Sequence, residues 1–275
     1  MTVLHCSALN YLCTMHRYFV ELGYKGTNYC GWQVQPNGIA VQQKLNDALS
    51  VLCKENIETT GCGRTDTGVH ALQFFAHFDT SHHIVDREEF IYHLNALLPW
   101  DISIYTLIEV DEKCHARFDA IRRTYNYSVS LKKDPFSIDT SWYWRQKADM
   151  DKMNAAAALL LQHADFTCFA KKGGQQATNN CRIYSAQWSI KGDKIVFEIS
   201  ADRFLRGMVR AIVGTLIQLG TGKRTTEEFK AILQEGSRSD AGEAVPAHGL
   251  FLAEVLYPYI PPVQRTLFQY GYAGS

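Results

Sequence analysis

Residues 61–70 read GCGRTDTGVH and lead from a glycine-rich loop into an apolar segment, residues 71–78, that is predicted to be a strand. Three glycines within eight positions allow positive φ angles and a close approach of the backbone to a ligand. Arg64 and Asp66 share this loop, and an arginine beside a carboxyl group lowers its pKa. An ionised, oriented carboxylate suits nucleophilic attack or proton abstraction. Asp-Thr-Gly is also compatible with a tight turn whose aspartate accepts backbone hydrogen bonds.

The predicted elements on both sides of this loop follow the same order twice. A strand at 17–24 and a helix at 40–54 precede the loop; a helix between the N-cap Asp86 and Pro99, and a strand at 102–110, follow it. The second half is predicted to contain a strand at 124–131, a helix at 149–162, strands at 183–190 and 194–200, a helix at 203–219, a short helix with a Thr225–Glu228 capping box, and a strand at 249–256.

This order predicts an α+β fold of two ferredoxin-like (βαββαβ) halves whose strands form one continuous, mostly antiparallel sheet. The helices are expected on one face, with a catalytic cleft between the halves. Residues 16–113 are predicted to form the first domain, which carries the aspartate loop, and residues 114–258 the second. Residues 1–15 are expected to be a disordered extension and 259–275 a tail. A second reading has translation starting at Met15, directly before the first strand.

Composition restricts the possible partners. Hydrophobic residues make up 46% of the 275 positions and charged residues 20%, which is a globular balance. Lysine plus arginine and aspartate plus glutamate both number 28, so no global positive field is present and any RNA binding depends on local basic clusters. No segment reaches the roughly 20 consecutive apolar residues that span a bilayer, so no membrane partner is predicted.

The cysteines and histidines show no spacing typical of metal ligands. The eight cysteines could pair as disulfides, but a chain with this large an apolar core does not need them, so we expect reduced thiols and a cytoplasmic protein. The ten histidines are scattered, and no phosphate-binding glycine motif is present. The sequence therefore predicts neither a metal nor another cofactor.

Six motifs in order carry a resemblance to a known family. Residues 63–71, GRTDTGVHA, resemble the catalytic signature of the TruA family of tRNA pseudouridine synthases, in which alanine is usual at the position of Thr67. The further matches, in family order, are YKGTNYCGWQ at 24–33, HARF at 115–118, RTYNY at 123–127, DFTCF at 165–169 with CRI at 181–183, and FLRGMVRAIVG at 204–214. The resemblance covers residues 17–257.

The resemblance implies the catalytic roles. Asp66 would start cleavage of the bond between uracil N1 and the ribose, either by adding to the base or by helping to form a glycal-like sugar. Tyr125 would stack on the flipped base and assist removal of the proton from C5. Its strand pattern places it on the apolar face, where a core tyrosine is the other interpretation. Arg64 and Arg210 would orient Asp66 and form ion pairs with it. The reaction needs no cofactor.

RNA contacts are predicted from local basic groups and one loop. Arg203 and Arg206 are expected within about 60° of Arg210 on the helix at 203–219. The predicted substrate-binding residues are Tyr125, Arg117, Arg123, Trp32, Gln33, Arg203, Arg206, Lys171 and Lys172.

The expected substrate is the anticodon arm of tRNA, at positions 38, 39 and 40 by the resemblance, and the resemblance also implies a homodimer. Other structured RNA remains an alternative target, and a non-catalytic tRNA-binding or folding protein of the same fold is the alternative function. Aspartic proteases also contain Asp-Thr-Gly but need two carboxylates that share a proton; this chain has one copy, so this interpretation is disfavoured.

Overall fold

The computed structural model describes residues 15–36, 38–171, 173, 178–263 and 265. Apart from Met15, the expected N-terminal extension lies outside the described residues, and so does most of the tail after Val263. Within the described parts, the chain forms a mixed α+β fold in which helices accompany one large, mostly antiparallel sheet. No described helix is both long enough and apolar enough to cross a membrane.

The elements follow the predicted order closely. The elements of the first part are β1 His16–Tyr24, α1 Val41–Cys53, β2 Thr60–Gly61, β3 His70–Thr80, α2 Arg87–Leu97 and β4 Ile102–Val110. Those of the second part are β5 Arg122–Ser130, β6 Trp142–Tyr143, α3 Met150–Leu159, β7 Ile183–Lys191, β8 Lys194–Ala201, α4 Met208–Gly220, α5 Thr226–Glu235 and β9 Leu250–Leu256. Short 3-10 turns lie at Gly26–Asn28, Pro135–Ser137, Leu160–Gln162, Thr167–Phe169 and Ala247–Gly249.

The sheet has the strand order β4-β1-β3-β9-β5-β8-β7, with β2 beside β3 and β6 beside β5. Antiparallel pairing prevails, and the two parallel pairings are β3 with β9 and β5 with β6. The central pairing of β3 with β9 is short and joins His70 to Phe251 and Ala71 to Leu252. Because β3 begins immediately after the aspartate loop, this loop lies at the seam where the first and second parts of the sheet meet.

Side-chain caps begin the helices where the sequence predicted them. Asp86 accepts a hydrogen bond from the backbone of Glu89 at the start of α2. The capping box of α5 is complete, since the Thr225 hydroxyl accepts from the Glu228 N–H and the Glu228 carboxylate accepts from the Thr225 N–H. These bonds satisfy N–H groups that the first helical turn leaves without a partner.

The helix predicted at 203–219 is present as α4 but starts five residues later than predicted. It begins at Met208, because Gly207 at its N-cap adopts a left-handed conformation with φ of 70°. The preceding segment is irregular, and the Asp202 carboxylate accepts from the N–H groups of Arg182 and Arg203. Arg203 and Arg206 therefore precede the helix, and helical spacing does not relate them to Arg210.

Trp32 is buried in the core, so the prediction that it faces RNA was wrong. Its side chain is only 2% exposed, and its ring stacks on Phe74 with 4.1 Å between centroids. The ring belongs to the hydrophobic cluster that β1, α1 and β3 enclose. Gln33, the next residue, is exposed. The glycine-rich loop is thus anchored by its tryptophan and presents the glutamine to solvent.

Replacing Trp32 with alanine is expected to lower the free energy of unfolding by about 3–5 kcal/mol, because it leaves a large cavity in the core. Gln33→Ala, at the exposed neighbouring position, is the matched control and is expected to change stability by less than about 0.5 kcal/mol. Urea denaturation of both variants measures the difference. Equal stabilities of the two variants would contradict this placement of Trp32.

Candidate active site

The aspartate loop is held in place by the segment that follows β1. The hydroxyl groups of Tyr24 and Thr65 are hydrogen-bonded at 2.9 Å. The backbone N–H of Trp32 donates to the Thr65 carbonyl at 3.3 Å, and that of Gly68 donates to the Tyr29 carbonyl at 3.4 Å. The two motifs that are separate in sequence, at 24–33 and 63–71, therefore form one structural unit.

Gly31 is required for this close approach. Its φ is 85°, and a Cβ atom at this position would collide with the Thr65 carbonyl oxygen. Any side chain here would push the two loops apart and would also impose backbone strain. The position of Asp66, one residue after Thr65, therefore depends on the absence of a side chain at Gly31.

His70 ties the end of the same loop to the second part of the chain. Its Nδ1 accepts from the Gly26 N–H at 2.9 Å, so its Nε2 carries the proton that is donated to the His248 carbonyl at 3.0 Å. Burial lowers the pKa of His70 and so favours the neutral ring that both bonds require. The histidine of the GRTDTGVH motif therefore acts as a brace.

Two arginines face the carboxylate of Asp66, one at each oxygen. Arg206 Nε lies 3.7 Å from Oδ1, and Arg210 Nη1 lies 3.8 Å from Oδ2. The side chain of Asp66 is 31% exposed, so it is accessible from solvent. Arg210 is aimed by the segment before β9, because its Nε donates to the Val245 carbonyl at 2.6 Å. Asp66 comes from the first part of the chain and both arginines come from the second.

Arg64 does not have the position predicted for it. Within the described parts of the chain it makes no ion pair with Asp66, and its side chain is exposed. It lies close enough to Arg117 for its charge to help lower the pKa of that residue. The ion-pairing role that the sequence suggested for Arg64 belongs to Arg206. Helical periodicity could not have indicated this, because Arg206 lies in the irregular segment before α4 and reaches Asp66 from there.

Tyr125 lies where the two hydrophobic clusters of the molecule meet. Its half-buried ring packs against both clusters and makes an edge-to-face contact with Phe204, with 5.1 Å between centroids. Burial raises the pKa of Tyr125, and the negative charge of Asp66 contributes in the same direction. The phenol is therefore protonated at neutral pH and close enough to Asp66 to interact with it.

Arg123 is a positioning residue, which corrects its prediction as an RNA contact. All five N–H bonds of its guanidinium donate to backbone carbonyls. The carbonyls belong to Cys62, Arg117, Ala120 and Asp202. Arg123 thereby connects the aspartate loop to the segment before β5 and to the segment after β8, and no donor is left for a phosphate.

The remaining predicted basic residues lie around the loop. The pKa of Arg117 is lowered by burial and by the charges of Arg64, Arg123 and Arg203, which places these four cations near one another. Lys171 is exposed and its backbone N–H donates to the Arg206 carbonyl at 2.9 Å. Lys172 lies outside the described residues. We call Arg64, Arg117, Arg203, Arg206 and Lys171 the basic rim.

The loop at 115–118 is braced from β3 and from the segment after β9. His77 Nδ1 accepts from the Ala116 N–H at 3.1 Å, and the Tyr257 hydroxyl donates to the Ala116 carbonyl at 2.5 Å. Asp119 accepts from the His115 N–H and from the Tyr259 hydroxyl, both at 2.7 Å. Burial lowers the pKa of His77 to about 4, with the charges of Arg17 and His115 acting in the same direction.

One group of possible metal ligands lies elsewhere in the described residues. Ligand atoms of His16, His83 and Glu109 lie within 4.8 Å of one another. The same carboxylate is bound by Arg87 Nη2 at 2.9 Å, so its charge is already balanced by a cation. His16 is at the opposite end of β1 from Tyr24, roughly 26 Å from the aspartate loop at the usual rise per residue. This group is an ion-pair network separate from the site.

Similarity to known proteins identifies the family. A sequence model of tRNA pseudouridine synthases matches residues 156–258. The tRNA pseudouridine synthase A of Parabacteroides distasonis is 47% identical over 244 residues, which cover 89% of this chain and 97% of that protein. This chain belongs to the tRNA pseudouridine synthase A family. The corresponding proteins of Bacteroides fragilis, 44% identical over 246 residues (89% and 98% coverage), and Francisella tularensis subsp. holarctica, 39% identical over 246 residues (89% and 95%), are further relatives.

Membership of the tRNA pseudouridine synthase A family confirms the resemblance, and with it the prediction of an isomerase that modifies tRNA. The six cysteines that the structure describes are free thiols. Of the predicted residues, the structure brings Asp66, Tyr125, Arg206 and Arg210 together at the seam, with Arg64, Arg117, Arg203 and Lys171 around them. Trp32 lies in the core, and the guanidinium of Arg123 donates all its hydrogen bonds to backbone carbonyls.

The depressed pKa of His77 predicts a loss of stability in mild acid. Between pH 6.5 and 4 the unfolded chain binds a proton at this residue while the folded chain does not, so the free energy of unfolding falls as pH decreases, by up to about 3 kcal/mol. His77→Asn keeps an acceptor for the Ala116 N–H but removes the titration, so its stability is expected to fall less. Urea denaturation at pH 7 and pH 4.5, with His93→Asn as an exposed control, measures this. The prediction would be contradicted if the free energy of unfolding of His77→Asn fell between pH 7 and pH 4.5 as much as that of the wild type.

Proposed function

We propose that this protein converts uridine to pseudouridine at positions 38, 39 and 40 in the anticodon arm of tRNA, with Asp66 as the catalytic carboxylate. The observation that carries the proposal is the arrangement at the seam, where Asp66 faces Arg206 and Arg210 and interacts with Tyr125. The target positions rest on the resemblance of the six sequence motifs to the TruA family.

The chemistry requires one bond to be exchanged for another. The bond between N1 and C1′ breaks, the uracil turns, and a bond forms between C5 and C1′; a proton leaves C5 and N1 gains one. No electrons are gained or lost overall. Asp66 starts the cleavage, through the base or through a glycal-like sugar, and needs the target base extruded from its stack to reach it. Arg206 and Arg210 hold the carboxylate oxygens during these steps.

Tyr125 assists the last step. Its ring offers the flipped uracil an aromatic surface next to Asp66. Because burial raises the pKa of Tyr125, its hydroxyl keeps its proton at neutral pH. It can accept the C5 proton only while passing its own proton to a neighbouring base, and the Asp66 carboxylate lies within electrostatic reach. Tyr125 is therefore a proton relay between C5 and Asp66.

The basic rim binds the phosphates that flank the target. The chain has no net charge, so affinity depends on the cations that touch phosphate. Arg64, Arg117 and Arg203 lie near one another, Lys171 is bound through its backbone to Arg206, and none of the four has a carboxylate partner among the described residues. Gln33, exposed on the loop that supports Asp66, is a further contact for the RNA. Lys172 remains a predicted RNA contact from the sequence alone.

The fold that serves this function consists of two ferredoxin-like halves, residues 16–113 and 114–258, followed by a tail at 259–275. The strand orders β4-β1-β3 with β2, and β9-β5-β8-β7, support this division. When the two-residue β6 beside β5 is set aside, each half places its four strands in the spatial order fourth, first, third, second. The two hydrophobic clusters also support it, because one draws mainly on residues of the first half and the other mainly on residues of the second. The helices cover one face of the sheet, and the cleft lies between the halves.

The synthase acts in the cytoplasm as a homodimer, as the family resemblance implies; the free thiols of the described cysteines are compatible with a reducing compartment. A molar mass in solution of about twice 31.2 kDa is expected from light scattering during size-exclusion chromatography. A mass of one chain at micromolar concentration would contradict the dimer.

Incubation with unmodified transcribed tRNA, without added cofactor, tests the function. Mapping is expected to find pseudouridine confined to the anticodon arm for the wild type, and Asp66→Asn is expected to lose more than about 1000-fold in single-turnover rate. Arg210→Lys is expected to lose about 10- to 100-fold, because lysine cannot bind Asp66 and the Val245 carbonyl together. Arg87→Lys, at the distant pair with Glu109, is the matched control and is expected to retain full activity.

The same experiment decides between the alternatives. Binding of tRNA by both wild type and Asp66→Asn, with pseudouridine formed by neither, would favour a tRNA-binding or folding protein. Pseudouridine found outside the anticodon arm would support the proposed isomerisation but contradict the proposed target positions. Full activity of Asp66→Asn would remove Asp66 from the mechanism.

A further inference from the structure

Phe118 is an aromatic residue at the basic rim that the proposed chemistry does not use. Its side chain is 75% exposed. The carbonyl of the preceding residue, Arg117, accepts from Arg123 Nη2 at 2.7 Å, and the same nitrogen donates to the Cys62 carbonyl at 2.7 Å. A single guanidinium thus fixes the loop of Phe118 relative to the loop of Asp66.

The ring of Phe118 has a firm support. It packs on the imidazole of His115 at 4.3 Å between centroids, and its backbone N–H donates to Nδ1 of the same histidine at 3.3 Å. His115 in turn contacts His77 edge-to-face at 4.7 Å. An aromatic surface that is already rigid loses little conformational freedom when a ligand stacks on it.

The charges around the ring indicate which ligand would stack on it. The Arg117 guanidinium lies 5.7 Å from the ring centroid, and Arg64 and Arg203 are near Arg117. A single exposed aromatic residue is ordinary on a protein surface. Here the exposed ring lies beside several cations that are free to bind phosphate. Proteins hold single-stranded nucleotides with this arrangement, in which the cations bind the nucleic-acid backbone and the aromatic ring stacks on a base.

We propose that Phe118 stacks on an unpaired base of the substrate RNA next to the target uridine. Extruding the uridine leaves a neighbouring base without a stacking partner, and the rigid ring of Phe118 replaces the lost partner while Arg117 binds the adjoining phosphate. The proposal rests on the proposed function, because it takes the RNA to be bound with its target uridine at Asp66. Phe118 acts on the neighbouring base and has no part in the bond exchange.

Three variants test the proposal. Phe118→Ala removes the ring, and Phe118→Trp keeps an aromatic surface. Tyr92→Ala removes a similarly exposed ring, 71% exposed, from α2 and serves as the control. Base–aromatic stacking changes affinity roughly 5- to 150-fold per base, so kcat/KM of Phe118→Ala is expected to fall about 10- to 100-fold. Phe118→Trp and Tyr92→Ala are expected to remain within about threefold of the wild type.

A fluorescent base distinguishes stacking from a merely structural effect. tRNA carrying 2-aminopurine on the 5′ or the 3′ side of the target uridine is titrated with each variant, and quenching on binding is expected for the wild type and Phe118→Trp from one of the two positions. Loss of this quenching in Phe118→Ala, at a saturating concentration and with an unchanged melting midpoint, would support the proposal. Equal quenching and equal kcat/KM in Phe118→Ala and Tyr92→Ala would overturn it.

Failure of the proposed function would be recognised separately. If the wild type formed no pseudouridine, the fluorescence titration would still report whether Phe118 stacks on the bound RNA, with loss of quenching in Phe118→Ala supporting the contact and unchanged quenching overturning it. If kcat/KM of Phe118→Trp fell as far as that of Phe118→Ala, the stacking role would also be overturned, because the position would then not require an aromatic surface.

Discussion

The contact between the Thr65 carbonyl and the segment at Gly31 and Trp32 is the constraint on which the site depends. The carbonyl accepts from the Trp32 N–H, and it can do so because Gly31 has no side chain in the way. Trp32 itself is fixed in the core by stacking on Phe74. The rigidity of the core is thereby transmitted through one tryptophan and one carbonyl to the residue beside Asp66.

The seam of the sheet supplies the second requirement, which is that the two parts of the chain meet at this loop. β3 and β9 pair at only two positions, and this short pairing is reinforced by the bond from His70 to the His248 carbonyl. The segment that provides this carbonyl also provides the Val245 carbonyl that aims Arg210. Residues before β9 therefore set both the loop that carries Asp66 and the arginine that faces it.

Periodicity and capping predicted the elements well because those signals are local. The strand at 102–110 has the predicted bounds, and the caps at Asp86 and Thr225 are present. The start of α4 was wrong because Phe204 and Leu205 continue the apolar pattern of the helix, while the left-handed conformation of Gly207 interrupts the helix. Spacing alone does not show which of these two influences prevails.

The motif singled out the loop of Asp66, whereas the contacts within the candidate site depend on tertiary structure. A glycine-rich loop suggests exposure, yet Trp32 is buried because its ring stacks on Phe74 of β3 inside the hydrophobic cluster. Arg64 is two residues from Asp66 in sequence but forms no ion pair with it, whereas Arg206 approaches from the other part of the chain. Arg123 follows basic neighbours in sequence, and only the fold brings four carbonyls to it.

The two arginines at Asp66 also affect how the substrate approaches the protein. RNA is a polyanion, and an isolated carboxylate in its binding surface would repel the phosphates nearest the target. With Arg206 and Arg210 each within 4 Å of a carboxylate oxygen, two positive charges outnumber the single negative charge of Asp66. A polyanion such as RNA is therefore attracted to this cluster of charges rather than repelled by its carboxylate.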